Sequence, residues 1–315
     1  MSRCLGFESC RYSGNIISSD EVREMRDHVD FITVCPEVDI GLGVPRDSVR
    51  LVSEGEEKRL VQPNTGDDLT EEMKGFIDDF LSGTSDVDGF ILKGRSPTCG
   101  LKETRIYHEM DSKVPENKDT GLFGGRVLER YPEKATETAG RLRNYQIREH
   151  FLTKIFTFAD FRDRKTSGSL HRLKDFHKHN RLLFRSYSKD LYEQMDRSLR
   201  KDIDVSKLYD IYEQHLHDLF DRPPECGSRI EVMKEIFNGL KTKIVKDEKD
   251  LFRGSLEDYK EGRTSLNVPL SVLHSWLIRF EDEARKNQSF FYPYPRDLVR
   301  LEDIKTCVSR EYEYF

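Results

Sequence analysis

Apolar positions in the first 140 residues come in short runs separated by helix-like stretches. Val29-Asp30-Phe31-Ile32-Thr33-Val34 reads as a strand with Cys35 at its end. Gly89-Phe90-Ile91-Leu92-Lys93 reads as another, running into the turn Arg95-Ser96-Pro97-Thr98-Cys99-Gly100. Between them Thr70 is placed as the N-cap of a helix through Leu81, and Ser18 with Glu21 as a capping box that opens a helix before the first strand. The alternation predicts an α/β layer architecture. Two cysteines then fall just past the C-terminal ends of strands, where open α/β sheets place their sites.

The stretch from Gly121 to Gly140, with Pro132 and the small residues Ala135, Thr136 and Ala139, closes this unit and sets a boundary near Leu142. Beyond it Ile147, Phe151, Leu152, Ile155, Phe156 and Ala159 recur at helical spacing, as do Leu170, Leu173, Leu183, Phe184 and Tyr187. The expected organisation is an α/β domain over 1–142 and a mostly α-helical domain over 143–315. Asp221-Arg222-Pro223-Pro224 and Phe291-Tyr292-Pro293-Tyr294-Pro295 are the clearest breaks in the second half.

At 315 residues the chain is long enough for two cores, and 36% hydrophobic with 10% aromatic residues is too apolar for disorder. No apolar run approaches the roughly 20 residues that cross a bilayer, and residues 1–20 lack a basic start followed by an apolar stretch. A cytoplasmic protein without membrane contact is expected. In that compartment six cysteines, four of them within the first 99 residues, call for a metal or redox explanation rather than a disulfide framework. Residues 1–144 carry 20 Lys+Arg against 28 Asp+Glu and the remainder 32 against 30, a slight tilt of the second half toward nucleic acid at most.

Three segments combine Cys with Gly, Pro and polar residues in ways a plain core does not require. They run from Cys4 to Gly14, from Cys35 to Arg46 and from Arg95 to Gly100. The neighbouring Gly and Pro let the backbone turn tightly around a bulky inorganic ligand whose sulfurs accept N–H hydrogen bonds. The spacing is not CxxC, and a buried free cysteine also serves as a small hydrophobe, so spacing leaves metal binding and packing both open.

In order, these segments resemble the signature of the 2-thiouracil desulfidase family. They supply a Cys-Leu-Gly opening with an Arg-Tyr-x-Gly tail, then Cys-Pro-Glu-x-x-x-Gly-Leu-x-x-Pro-Arg, then Leu-Lys-x-x-Ser-Pro-x-Cys-Gly. Leu122-Phe123-Gly124 and Gly140-Arg141-Leu142 extend the resemblance to about residue 143. The second half resembles a helical domain of unknown function often fused to the first, through Leu170 to His177 and Pro293 to Leu298.

The resemblance implies a Rossmann-like N-terminal domain in which Cys4, Cys35 and Cys99 hold a 4Fe-4S cluster whose fourth iron has no protein ligand, with Glu37 and Ser96 as catalytic side chains. It implies hydrolytic removal of sulfur from a thiolated nucleobase, nucleoside or tRNA, released as hydrosulfide. Glu37, in a largely apolar pocket, would take a proton from water and return it to the ring, and Ser96 would orient the base or shuttle a proton. Cys10 stands where the family also has Val, and reads as a bystander rather than a fourth ligand closing the open iron. Only Ser2 and Arg3 separate Met1 from the first motif, where the family usually has a full strand.

The rival from another class is a non-catalytic protein whose cysteines hold zinc or a closed cluster while the helical half recognises nucleic acid or a protein. A third reading is a thiol switch between Cys4 and Cys10. Outside these segments the signals are weak. His171, His177, His179, His215 and His217 read as surface or hydrogen-bonded residues rather than a metal site, because a His-x-His pair on a helix splays its rings apart. The run from Phe290 to Tyr294 reads as core or docking contacts rather than a base-stacking platform.

Overall fold

In the computed structural model, which describes residues 1–299 apart from Glu56 and Ser85, the chain divides into two compact units, Met1–Asn144 and a second that begins at Tyr145. The first is α/β. Helices α1 (Asp20–Met25) and α2 (Pro36–Asp39) precede strands β1 (Arg50–Glu54), β2 (Glu57–Gln62) and β3 (Asp67–Asp68). Helix α3 (Thr70–Ser82), strands β4 (Gly89–Leu92), β5 (Thr104–Tyr107) and β6 (Asn117–Asp119), helix α4 (Leu122–Arg130) and strand β7 (Ala135–Thr138) complete it.

Five strands form one mixed sheet in the order β3-β2-β1-β5-β6, with β1 parallel to β5 and the other neighbours antiparallel. Strands β4 and β7 form a separate parallel pair, Gly89 opposite Ala135 and Leu92 opposite Thr138. Met73, Ile77 and Leu81 recur every fourth residue of α3, so one face of the helix is apolar. They pack with Leu51, Leu60 and Ile106 of the sheet and with Phe123 and Val127 of α4.

Three local expectations are corrected. The stretch 29–34 is not a strand, because its partner is the short segment at residues 1–3 and the two share a single parallel bridge, Ser2 to Val34. The Arg3 amide donates to the Val34 carbonyl at 2.8 Å, and the Ser2 amide to Ile91 at 3.0 Å, so residues 1–3 run between this stretch and β4. The cap of α1 is Ser19 rather than Ser18: its hydroxyl accepts from the Val22 amide and donates to Glu21. Thr70 lies inside α3, and the cap position falls to Leu69. The Asp68 carboxylate accepts the Thr70 amide at 3.0 Å, while the Thr70 hydroxyl accepts from the Leu60 amide of β2.

The second unit is all helical among its described residues: α5 (Tyr145–Thr166), α6 (Leu170–His179), α7 (Arg181–Tyr187), α8 (Lys189–Ser198), α9 (Val205–Leu219), α10 (Cys226–Leu240), α11 (Lys246–Lys260), α12 (Asn267–Arg279) and α13 (Glu283–Lys286). Phe161, Phe176, Phe184, Tyr212 and Phe220 are fully buried in its core, which Phe290 and Phe291 also join. None of its helices, nor any other among the described residues, is long and apolar enough to cross a membrane.

Candidate active site

Cys4 follows the 1–3 segment, Cys35 follows Val34 and Cys99 lies on the turn after β4. Three adjacent extended segments therefore deliver three cysteines to one end of the first unit. Together with Cys10 they line a cavity of about 150 Å³, along with Glu37, Arg46, Ser96, Pro97 and Thr98. All four thiols are free and buried. The sequence grouped three of them; the fold brings the fourth as well, and the Cys35 thiol lies 3.7 Å from the Cys10 carbonyl oxygen.

Burial pushes the Cys4 thiol up to about 11, with Cys35 and Glu37 adding to the effect and Lys93 and Arg11 opposing it. Burial likewise raises Cys99 to about 12, against a hydrogen bond from Ser2 and with the charges of Cys4, Glu37 and Cys35. Cys10 is raised further still, by burial and then by Cys35. Grouped thiols that resist ionisation alone are soft donors suited to a cationic thiophilic centre, which would supply the missing positive charge. Among the described residues no three His, Cys, Asp or Glu side chains form a set compact enough for a single metal ion.

The turn that presents Cys99 is held from three directions. The Ser96 hydroxyl accepts the amides of Thr98 at 3.3 Å and Cys99 at 3.1 Å, so Ser96 caps this turn rather than a following helix. Helix α4 starts against it: the Leu122 and Gly124 amides donate to the Pro97 and Thr98 carbonyls at 3.2 and 3.1 Å. These are first-turn donors that a helix cannot satisfy internally. The Thr104 hydroxyl donates to the Ser96 carbonyl at 3.1 Å. That is the structural reason for the Leu122-Phe123-Gly124 landmark.

Within the cavity Glu37 is ion-paired with Arg46, whose Nε and Nη2 donate to Oε2 at 3.0 and 2.5 Å, the two side chains only 13% and 4% exposed. Its other oxygen, Oε1, accepts the Thr98 hydroxyl at 2.8 Å. Arg46 also donates from Nη1 to the carbonyls of Cys10 and Gly43, tying the first cysteine segment to the second. Sequence reasoning did not single out Arg46 or Thr98. Arg46 was visible as the last residue of the second motif, whereas Thr98 occupies an unspecified position of the third. Arg3, Arg11, Lys93 and Arg95 line the cavity too, and among the described residues Glu37 is the one carboxylate that does.

The histidines of the helical unit do not converge. His177 Nδ1 lies 2.9 Å from the Tyr212 hydroxyl and its ring stacks on Tyr192, His217 stacks on Phe158, and His171 is an exposed neighbour of Asp175.

Two family models match parts of the chain. Residues 1–139 match the family model described as 2-thiouracil desulfurase, and residues 181–295 match that of a protein of unknown function, DUF1722. The uncharacterised protein YbbK of Bacillus subtilis (strain 168) is 29% identical over 107 residues, covering 32% of this chain and 71% of YbbK. Among solved structures, the [4Fe-4S]-dependent thiouracil desulfidase TudS is 26% identical, with a TM-score of 0.37, over 45% of this chain and 90% of TudS.

Proposed function

Taking the match of residues 1–139 to the 2-thiouracil desulfurase family as the premise, we propose that the first unit is a cluster-dependent desulfidase that converts a thiolated uracil to the oxygen compound with release of hydrosulfide. The observation that carries this reading is the gathering of Cys4, Cys35 and Cys99 around one cavity that also holds Glu37 and Ser96. Those three thiolates would hold a 4Fe-4S cluster. When bound, the cluster supplies a soft Lewis-acidic iron without a protein ligand, able to draw electrons from a thiocarbonyl through its sulfur.

The chain's own groups handle the protons and the geometry. Exchange of sulfur for the oxygen of water needs one group to accept a proton from the attacking water and to return a proton as sulfur departs. Glu37 is the carboxylate in the cavity, held at both oxygens, and takes that part. Ser96 stands within the same hydrogen-bonded set, where its hydroxyl can shuttle a proton. Cys10 remains a bystander, so that one iron stays open. Arg3 and Arg95 of the lining are paired with Asp39 and Glu103, while Arg11 and Lys93 favour a negatively charged form of the substrate, a nucleotide or RNA, over the free base.

Anaerobic reconstitution of the full chain, followed by sulfide assays on thiolated bases, nucleotides and tRNA, tests the reading. The expected product is a brown protein with about four iron per chain that bleaches in air and releases sulfide. Glu37→Ala should keep the colour and lose sulfide release. A colourless zinc protein, or full activity in that variant, overturns the assignment.

A further inference from the structure

We propose that Thr98 is a positioning residue of this site: its single hydroxyl joins Ser96 to Glu37 and sets the direction in which the Glu37 carboxylate meets the substrate. The proposal rests on the desulfidase reading and deepens it. Thr98 is 1% exposed, and its Oγ1 lies 2.8 Å from Glu37 Oε1 and 2.9 Å from Ser96 Oγ.

The direction of each hydrogen bond follows from counting donors. The Glu37 carboxylate, paired with Arg46, only accepts, so the one proton of the Thr98 hydroxyl goes to it. The Thr98 oxygen is then left to accept from Ser96. The Ser96 oxygen already receives the amides of Thr98 and Cys99, so its own proton is free to point at Thr98. Ser96, Thr98 and Glu37 thus form a chain with one polarity. The far carboxylate oxygen is fixed by Arg46, itself anchored on the carbonyls of Cys10 and Gly43.

A threonine needed only to shape the turn would spend its hydroxyl on local backbone. Here Ser96 already caps that backbone, and the closest partners of the Thr98 hydroxyl are the two side chains assigned to chemistry. Valine has nearly the same shape and cannot donate, so it separates the hydroxyl from the packing.

The test compares Thr98→Val and Thr98→Ser in the full reconstituted chain by iron content and visible absorption, by kcat and KM for sulfide release, and by the Glu37 conformation in a crystal structure of Thr98→Val. The valine variant should keep its iron, lose about 10²-fold in kcat with KM within roughly threefold, and show a turned Glu37 carboxylate. The serine variant should stay within roughly threefold of the parent. An unmoved Glu37 with parental kcat overturns the proposal. So does a serine variant as slow as the valine one, or loss of iron from the valine variant alone, which would assign the hydroxyl to the cluster instead. A reconstituted parent that releases no sulfide strikes the desulfidase reading, while the Glu37 orientation in Thr98→Val still decides the positioning role.

Discussion

Glu37 and Arg46 form the kind of buried pair that is costly to break, because removing one partner leaves the other charged and unmatched. The pair does more than hold a loop, since the same guanidinium reaches the Cys10 carbonyl and so fixes where the first cysteine segment lies. Cys10 itself is fully buried beside Cys35. If it is a bystander, Cys10→Val fills the same space, and the reconstituted variant should hold the parental amount of iron and release sulfide within about threefold of the parental rate. Loss of iron in that variant would make Cys10 a ligand and close the open position. Cys35→Ser is the control that should lose iron.

At the scale of elements, the site depends on how closely α4 approaches the Cys99 turn. A methyl group at Gly124 would collide with the Gly100 carbonyl oxygen and come within 2.9 Å of the Cys99 carbonyl oxygen. One at Gly100 would meet the Thr104 hydroxyl and the Ser96 carbonyl. Glycine is needed at both places for the space it leaves free, not for an unusual backbone angle. Gly124→Ala should therefore push α4 off the turn, lower stability by about 1–3 kcal/mol in urea unfolding, and reduce iron retention by displacing Cys99. Unchanged iron content would show that the turn holds its shape without the helix. The stretch 29–34 belongs to this scale too: its apolar run reads as a strand, but a strand needs a partner of comparable length, and residues 1–3 offer one bridge.

Over the whole molecule the two units respond to different variables. The first answers to the cluster proposed for its thiols, the second to its aromatic core. Within that core, burial lowers His177 to about 4 and His150 to about 3. An unfolded histidine binds its proton near pH 6.5, so between that value and pH 4 the unfolded chain carries protons the folded one does not. Stability falls as the pH falls through this window and is flat above it. His177 alone accounts for up to about 3 kcal/mol. The chain's one tryptophan, Trp276, is buried in the same core and reports the transition. The urea midpoint followed by Trp276 fluorescence should drop between pH 7 and 4.5, and less steeply in His177→Gln. An equal midpoint at both pH values would contradict the buried neutral state of these rings.

The sequence by itself determined the class of each unit and offered candidates for the reactive groups. Hydrophobic periodicity is a local property, so the α3 face and the long α5 pattern were legible without tertiary information. The resemblance carried by the three motifs put forward Cys4, Cys35, Cys99, Glu37 and Ser96 as candidates, where spacing and residue type by themselves left metal binding and packing both open. Tertiary structure alone decided the rest: that Cys10 joins the other thiols, that Glu37 is paired with Arg46, and that Thr98 links it to Ser96. The two contacts of Glu37 join residues 9 and 61 positions apart. Hydrogen bonds have a reach of about 3 Å, so which distant groups share one is settled only when the fold has brought them together.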